Sequence, residues 1–280
     1  MSVTQLYPPG VPCWIEVATP DVVGGASFYG ELFGWQFDSG VTAPDGGTYV
    51  VGSVEGGQVA GLVQPEGKAA AGSWRTYVRV ADLDAATTAV VENGGAVHTP
   101  AVDVPGLARS ALFTDPAGAV FGVRELAGHR GAERVNAPNT WNFNTLRTPD
   151  TAVATRFYGS VFGWLATVAD FGFATGTMWC LPGYGDFLDT RNPGWKQGHI
   201  DGGSPPGFTD AVGWLEEVEG GADWSVEFTV ADAARTAERA TELGGEVLSG
   251  PFDVGGTGSA VLADPSGARF TVNDYGSAAG

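Results

Sequence analysis

The sequence predicts an α+β protein of two tandem domains, because three of its motifs occur twice. The repeated motifs are an aromatic Phe-Tyr-Gly-x-x-Phe-Gly-Trp stretch, a Thr-Pro-Asp turn and an Asp-Pro-x-Gly stretch, which lie at 28–35 and 157–164, 19–21 and 148–150, and 115–118 and 264–267. Self-similarity of this kind indicates a duplication. Within each copy the strand and helix periodicities predict two strand-helix-three-strand modules, so the whole chain has four.

The elements of the first copy follow from residue alternation, helix caps and glycine stops. Apolar and polar residues alternate over 12–18, which predicts a strand. Asp21 is the predicted cap of the helix that follows, and Gly34 ends it. The second helix has Asp82 or Asp84 as its cap. The remaining predicted strands are 35–38, 48–54, 58–64, 74–80, 96–98, 110–114 and 119–125, with a Gly-rich linker at 67–72.

The second copy contains an inserted segment. Its position follows from spacing, since the aromatic motifs are 129 positions apart whereas the Asp-Pro-x-Gly stretches are 149 apart. We therefore expect domains at 1–130 and 131–280, with the insertion at 182–221. Long loops are usually disordered or functional, and the aromatic residues in this one favour an ordered cover. Tyr184 and Phe187 are its predicted ligand-facing lid residues.

Composition limits the possible partners and the compartment. The formal net charge of −18 disfavours phosphate backbones, which bind clustered Lys and Arg, so we expect no nucleic-acid partner. No apolar run approaches the ~20 residues that cross a bilayer, and the N-terminus lacks the pattern of a signal peptide. We therefore expect a cytoplasmic protein without membrane contact, either monomer or homodimer, that binds a small molecule. Cys13 and Cys180 are interpreted as buried thiols.

These motifs resemble the vicinal-oxygen-chelate superfamily, which includes glyoxalase I, bleomycin-resistance and fosfomycin-resistance proteins, and extradiol dioxygenases. The Leu-Pro-Gly-Tyr-Gly stretch at 181–185 is also similar to two-domain actinobacterial members labelled glyoxalase or hydroxylase. The resemblance implies that each domain curls two modules into a cupped sheet of eight strands. In the metal-dependent members, imidazoles and carboxylates from several strands meet at the floor of the cup.

The resemblance also locates the metal-ligand positions, and other residue types occupy them. They fall on Trp14, Arg75 and Gly122 in the first copy, and on Phe143, Ser225 and Thr271 in the second. A fourth position lies near Gly61 in the first copy and near Cys180 in the second. Because divalent metals need three or four converging His, Asp, Glu or Cys donors, we expect no metal and no cofactor. The three histidines, His98, His129 and His199, are interpreted as surface or loop residues.

Successive side chains of a strand point to opposite faces, so the ligand positions also predict which neighbouring residues line each cup. The first cup is predicted to contain Trp14, Glu16, Arg75, Tyr77, Arg79 and Arg124, and the second Phe143, Thr145, Arg147, Ser225, Glu227, Thr229, Thr271 and Asn273. The charged residues have two interpretations. They form a structural ion network, or they transfer protons and bind an anionic or enolate oxygen.

Three functional hypotheses remain for a small, partly aromatic metabolite of secondary metabolism. The first is a metal-independent lyase, isomerase or cyclase, with Glu16 or Glu227 as general base and Arg75, Tyr77 or Arg147 stabilising charge. The second is a non-catalytic binding protein that sequesters its ligand, as bleomycin-resistance proteins do. The third is a metal-dependent lyase similar to glyoxalase I. The other lining residues, Trp14, Arg79, Arg124, Phe143, Thr145, Ser225, Thr271 and Asn273, are candidate ligand contacts under each hypothesis.

Overall fold

The computed structural model describes residues 7–43, 46–65, 72–104, 108–126, 131–172 and 174–274. His129, nearly all of the predicted linker and the first residues of the chain lie outside these ranges. Within the described residues the chain forms two β-sheets and six α-helices in two tandem domains, which confirms the predicted α+β class. No helix in this part of the chain combines the length and apolar character needed to cross a membrane.

The first copy forms one sheet and two helices, in the predicted order of two strand-helix-strand modules. Its strands occur in the order β2-β4-β5-β1-β6-β9-β8-β7, and β3 pairs with β4. The elements are β1 (Pro12–Ala18), α1 (Val22–Phe33), β2 (Gln36–Phe37), β3 (Val41–Thr42), β4 (Thr48–Val54), β5 (Gly57–Gln64), β6 (Ser73–Val80), α2 (Leu83–Glu92), β7 (Ala96–Val104), β8 (Ala108–Thr114) and β9 (Val120–Leu126).

The second copy forms the other sheet with the same topology. Its strand order is β11-β12-β13-β10-β14-β17-β16-β15. The elements are β10 (Thr140–Thr148), α3 (Thr151–Phe162), β11 (Leu165–Asp170), β12 (Thr175–Cys180), α4 (Tyr184–Arg191), α5 (Trp195–Asp201), a short 3-10 helix (Phe208–Asp210), β13 (Ala211–Glu217), β14 (Asp223–Thr229), α6 (Ala233–Glu242), β15 (Glu246–Val254), β16 (Thr257–Ala263) and β17 (Arg269–Asp274).

The repeated turn and aromatic motif set the ends of the equivalent helices α1 and α3. The carboxylates of Asp21 and Asp150 accept hydrogen bonds from backbone amides of the first turn, which otherwise have no partner in the helix. Gly34 and Gly163 follow the last turn with φ of 75° and 76°, a left-handed conformation that glycine adopts without a Cβ clash. Local chemistry therefore determines both ends of each helix.

The insertion is shorter than predicted, because the residues after Asp210 return to the sheet. β13 pairs in parallel with β10, just as β5 pairs with β1. It is therefore the last strand of the third module and lies outside the insertion, contrary to the expected bounds of 182–221. We use the name insertion below for residues 181–210, which contain α4, α5 and the 3-10 helix.

The modules pack across the duplication. The described parts of 1–12, 77–129 and 144–224 form one compact unit, and those of 13–76, 130–143 and 225–280 form another. We call them the first and second packing units. Each sheet follows one copy, whereas each packing unit combines one module from each copy.

The repeated aromatic motif forms the core of each packing unit. In the second unit, Tyr29 stacks on Trp35 with ring centroids 5.7 Å apart. Phe33 packs against Phe228 at 5.0 Å and Phe270 at 6.0 Å. These are ordinary separations for aromatic pairs. The motif of the first copy is therefore completed by rings from the fourth module.

A buried hydrogen-bond chain joins the same two modules. Trp74 Nε1 donates to the Tyr29 hydroxyl at 3.1 Å, and that hydroxyl donates to Asp264 Oδ2 at 2.9 Å. The other oxygen of Asp264 accepts from the backbone amides of Ser266 and Ala268, both at 2.8 Å. Burial and the nearby Asp264 carboxylate raise the pKa of Tyr29 well above its ordinary value.

The first packing unit contains an equivalent chain. Trp224 Nε1 donates to the Tyr158 hydroxyl at 2.9 Å, which donates to Asp115 Oδ2 at 3.1 Å. Asp115 Oδ1 accepts from the amides of Ala117 and Ala119, both at 2.9 Å. Burial raises the pKa of both Tyr158 and Asp115. The tyrosine of each aromatic motif is thus hydrogen-bonded to the aspartate of the Asp-Pro-x-Gly stretch in the opposite copy.

Candidate functional site

The strand register shows which residues stand at the predicted ligand positions. Glu16 pairs with Gly61 between β1 and β5, and the equivalent residue Thr145 pairs with Trp214 between β10 and β13. The fourth position of the second copy is therefore Trp214, and the expectation of a position near Cys180 is wrong. The insertion displaces β13 along the chain, and this strand could not be aligned by spacing alone.

Aromatic side chains fill the space at Gly61. A Cβ at this residue would collide with the Tyr49 hydroxyl and would lie 3.2 Å from Trp14 Nε1. Trp14 Nε1 donates a hydrogen bond of 2.9 Å to Tyr49, and Trp14 has no solvent exposure. Trp14 thus occupies one ligand position of the first copy, and its hydrogen-bonded partner Tyr49 fills the space at another, Gly61.

A second ring lies at Gly122, the third ligand position. A Cβ there would collide with the ring of Tyr77, its parallel partner on β6. The guanidinium carbon of Arg124 lies 4.5 Å from the centroid of the Tyr77 ring, within the range of a cation–π contact. Arg124 is only 1% exposed. Glycine at this position leaves room for a stacked Arg-Tyr pair.

The charged residues predicted for the first cup are held by specific partners. Glu16 is buried, and its Oε1 lies 3.5 Å from Arg75 Nη1. Arg79 Nη1 donates to the carbonyl oxygen of Tyr7 at 2.9 Å. The Glu16–Arg75 pair therefore brings together one predicted general base and one predicted charge-stabilising residue.

In the second copy, the equivalents of Tyr77 and Arg124 form a different pair. Glu227 and Asn273 are each 8% exposed, and Asn273 Nδ2 donates to Glu227 Oε2 at 3.1 Å. Thr271 is the parallel partner of Glu227 in the sheet, and Ser225 is buried two residues before Glu227. A carboxylate held by an amide donor can accept a proton.

The remaining predicted residues of the second copy lie on β10. Arg147 is within 3.7 Å of Glu216 and within 3.6 Å of Asp223, two carboxylates that are more than half or nearly half exposed. Phe143 accepts a hydrogen bond from Trp141 Nε1 at its backbone carbonyl. Arg147 is thus engaged in ion pairs at the surface.

The residues at the ligand positions do not fit a divalent metal. The structure places Trp14, Gly61, Arg75 and Gly122 at these positions in the first copy, and Phe143, Trp214, Ser225 and Thr271 in the second. Across the described ranges, no group of three or more His, Cys, Asp or Glu is arranged to hold a metal ion. His98 is exposed beside Thr99, and His199 lies on α5 against Trp195.

The insertion covers part of the predicted ligand-facing side of the second sheet. Met178 is the strand partner of Trp214, which in turn pairs with the predicted lining residue Thr145, so the three share one face. On this face Met178 and Cys180 are buried, and Phe208 of the insertion packs against them together with Phe171 and Trp214. Cys180 Sγ donates to the Gly207 carbonyl at 3.5 Å. Burial raises the pKa of the Cys180 thiol.

The predicted lid residues form a separate stack on α4. The rings of Tyr184 and Phe187 are nearly parallel, with centroids 6.4 Å apart. Arg191 lies over Phe187 at 5.9 Å. Burial raises the pKa of Tyr184 to about 12. The base of the insertion is closed by Asp210, whose carboxylate accepts from the Gly185 amide at 2.7 Å.

Comparison with known proteins agrees with this fold. The profile of the glyoxalase/bleomycin resistance protein/dioxygenase superfamily matches residues 13–123, and that of the glyoxalase-like domain matches residues 130–273. Among solved structures, the 2,3-dioxygenase LapB from Pseudomonas sp. KL28 is similar with a TM-score of 0.60 and 16% identity, covering 96% of this chain and 93% of that one. The Mn(II)-bound glyoxalase from Novosphingobium aromaticivorans has a TM-score of 0.56 and 14% identity, with 95% and 82% covered.

Curated relatives match over nearly their full length. The putative glyoxylase CFP32 of Mycobacterium tuberculosis (strain CDC 1551 / Oshkosh) is 33% identical over 274 residues, which cover 95% of each chain. The anthracycline biosynthesis protein DnrV of Streptomyces peucetius is 34% identical over 280 residues, covering 95% of this chain and 94% of the relative. On this similarity, the chain belongs to the glyoxalase/bleomycin resistance protein/dioxygenase superfamily.

Proposed function

We propose that this protein handles a small, aromatic metabolite without a bound metal ion. The observation that carries the proposal is the replacement of metal ligands by buried rings: Trp14 and Tyr49 fill the space at Gly61, and Tyr77 fills that at Gly122. None of these side chains is a usual ligand of a catalytic divalent metal. The name of the relative DnrV, an anthracycline biosynthesis protein, supports a role in secondary metabolism.

The proposed chemistry is that of a lyase, isomerase or cyclase working by proton transfer. Glu16, paired with Arg75, and Glu227, held by Asn273, are the proposed general bases. A carboxylate at the reacting centre can accept a proton, and an adjacent guanidinium stabilises a developing oxyanion. Tyr77 and Arg147 remain proposed charge-stabilising residues.

Sequestration without chemistry is the second candidate, favoured by the apolar surface under the insertion. Met178, Phe171, Phe208 and Trp214 offer packing contacts and no acid or base. Native mass spectrometry of the purified protein tests both candidates by detecting a co-purified small molecule. Catalysis requires that the molecule change mass or isomeric form on incubation with the protein, and that Glu16→Gln or Glu227→Gln stop the change. A molecule that the unmodified protein leaves unchanged supports sequestration.

We further infer a cytoplasmic location for the protein. Cys13 and Cys180 are both buried and form no disulfide, as expected in a reducing compartment. The strongly acidic composition supports a soluble monomer or homodimer. Analytical ultracentrifugation of the full chain distinguishes these two states.

The purified, dialysed protein is expected to contain far less than one equivalent of Zn, Ni, Fe or Mn. The physical reason is the donor set, because Trp14, Gly122 and Thr271 offer no imidazole or carboxylate at positions where the family's metal enzymes bind. Inductively coupled plasma mass spectrometry measures this directly. One equivalent of metal that survives dialysis, and whose removal by a chelator lowers the melting temperature, would contradict the proposal.

The double variant Tyr184→Ala/Phe187→Ala is expected to weaken binding of the co-purified molecule by about tenfold, with little change in melting temperature. The reason is that two stacked rings on α4 supply apolar contact area, worth about 0.5–1.5 kcal/mol for each aromatic pair. Thr190→Ala, on the same helix, is the matched control. A double variant that melts several degrees earlier yet binds normally would show that the stack only supports the fold.

A further inference from the structure

The apolar cluster under the insertion is unusual because the insertion supplies one of its rings. We define this cluster as Phe171, Met178, Cys180, Phe208 and Trp214. Met178 is fully buried, Cys180 is 5% exposed, and the three aromatic residues are partly exposed. The first copy has only a two-residue turn between β4 and β5, so it has no equivalent of Phe208.

Phe208 occupies the middle of a row of rings. On one side its centroid is 5.7 Å from that of Phe171, which is 6.1 Å from Trp214. On the other side it is 5.7 Å from the ring of His199, which is 4.4 Å from Trp195. These spacings are those of interacting aromatic pairs. A flat ring that took the place of Phe208 would therefore have Phe171 and His199 as aromatic neighbours.

The segment carrying Phe208 is held more firmly at its Asp210 end than at its Gly207 end. Its helix has a single turn that begins at Gly207, with φ of 83° and no side-chain cap. At the Gly207 end, Cys180 Sγ donates a 3.5 Å hydrogen bond to the Gly207 carbonyl, and a thiol is a weak donor. At the other end of the same turn, the Asp210 carbonyl accepts from the Leu181 amide at 2.9 Å and its carboxylate accepts from the Gly185 amide.

We propose that the apolar cluster is a binding chamber for a planar, fused-ring aromatic ligand, with Trp214 as its packing surface and Phe208 as a gate that the ligand displaces. The inference rests on the proposed function and adds the position and ligand class. The cluster contains no charged side chain. The chamber therefore favours an uncharged ring system, whose removal from water supplies the driving force.

The test uses the full-length protein and the planar dye 1,4-dihydroxyanthraquinone, with binding followed by its absorbance. Phe208→Ala is expected to bind the dye about fivefold more tightly, because it opens an apolar space that a ring can enter. Trp214→Leu is expected to bind it about fivefold more weakly, since an aromatic contact is lost. Phe252→Ala, at a partly exposed phenylalanine on β15, is the matched control and is expected to bind like the unmodified protein.

Opposite effects from two residues of one cluster distinguish a chamber from a structural core. If Phe208→Ala shows no tighter binding, or Trp214→Leu binds as well as the unmodified protein, the chamber is refuted. The chamber is also refuted if Phe208→Ala binds no dye up to the solubility limit of the dye. Circular dichroism confirms that each variant is folded before binding is compared.

A second measurement needs no variant. Cys180 lies in the cluster and Cys13 is fully buried on β1, so the labelling rates of the two thiols can be compared by peptide mass spectrometry. Saturating dye is expected to slow labelling of Cys180 at least about fivefold, while Cys13 labelling stays unchanged. Equal labelling of Cys180 with and without dye overturns the chamber. If a co-purified molecule is still found by native mass spectrometry, the proposed function stands and only its site is wrong.

Discussion

Replacing Asp264 by Ala is expected to lower the free energy of unfolding by about 3 kcal/mol, among the largest effects of any single substitution in this chain. One carboxylate oxygen holds the two amides of its hairpin, and the other accepts the hydroxyl of the fully buried Tyr29. Alanine leaves these three donors and the Ser266 hydroxyl, which also donates to Asp264, without this acceptor. Asp115→Ala is expected to act similarly through Tyr158.

Two further variants separate the buried network from ordinary capping. Asp82→Ala removes an exposed carboxylate that accepts from the Ala85 amide at the start of α2, a loss of about 1 kcal/mol. Asp264→Asn retains one oxygen for the hairpin amides, so its loss of stability is expected to lie between those of Asp264→Ala and Asp82→Ala. Urea unfolding at pH 7.5 measures all three. If Asp264→Ala lowers the free energy of unfolding no more than Asp82→Ala does, the hydrogen bond between Tyr29 and Asp264 does not stabilise the packing unit.

The sequence was sufficient for features that depend on neighbouring residues. The capping aspartates and the terminal glycines Gly34 and Gly163 act within a few positions, and the observed ends of α1 and α3 agree with them. The strand β1 has the predicted bounds, because alternation over Pro12–Ala18 is unbroken. Each of these signals depends on a single turn or strand.

Packing across the duplication could not be predicted in this way. Tyr29 and Asp264 are 235 positions apart, and nothing in either motif indicates that the partner is in the opposite copy. β13 was missed for a related reason. Its parallel partner β10 lies far back along the chain, and the insertion removes the spacing that aligns the other strands.

The candidate site was predictable only where side chains replace metal ligands directly. Trp14 and Arg75 indicate the loss of metal ligands directly, because neither side chain is a usual metal ligand. Gly61 and Gly122 do not, because a glycine in a sequence carries no sign of which ring will occupy the space beside it. Tyr49 was therefore not a predicted site residue, and Trp214 was known only as an aromatic residue of the insertion. Both are assigned by strand pairing and packing.

The stability of the protein is expected to fall steeply above pH 10, and the two buried tyrosines of the hydrogen-bond chains supply much of the slope. Their folded pKa values are raised well above the ordinary value of 10.0 by burial and by Asp264 or Asp115. In the unfolded chain both ionise near pH 10, whereas in the folded chain both stay neutral. Their contribution is therefore fully present below pH 10 and is lost as the pH rises toward the folded pKa. For two groups the loss between pH 9 and pH 11 is about 2.7 kcal/mol.

The double variant Tyr29→Phe/Tyr158→Phe isolates this effect, because it lacks both hydroxyls but keeps both rings. At pH 8 we expect it to be about 2–3 kcal/mol less stable than the unmodified protein, since two buried hydrogen-bond chains are broken. Between pH 9 and pH 11 the difference should nearly vanish, because only the unmodified protein pays the cost of keeping these two hydroxyls neutral. Ionisation of Tyr184 and of the basic residues affects both proteins alike. Urea unfolding at half-unit pH steps gives the two curves, and curves that stay parallel up to pH 11 would mean that Tyr29 and Tyr158 ionise in the folded protein as readily as in water.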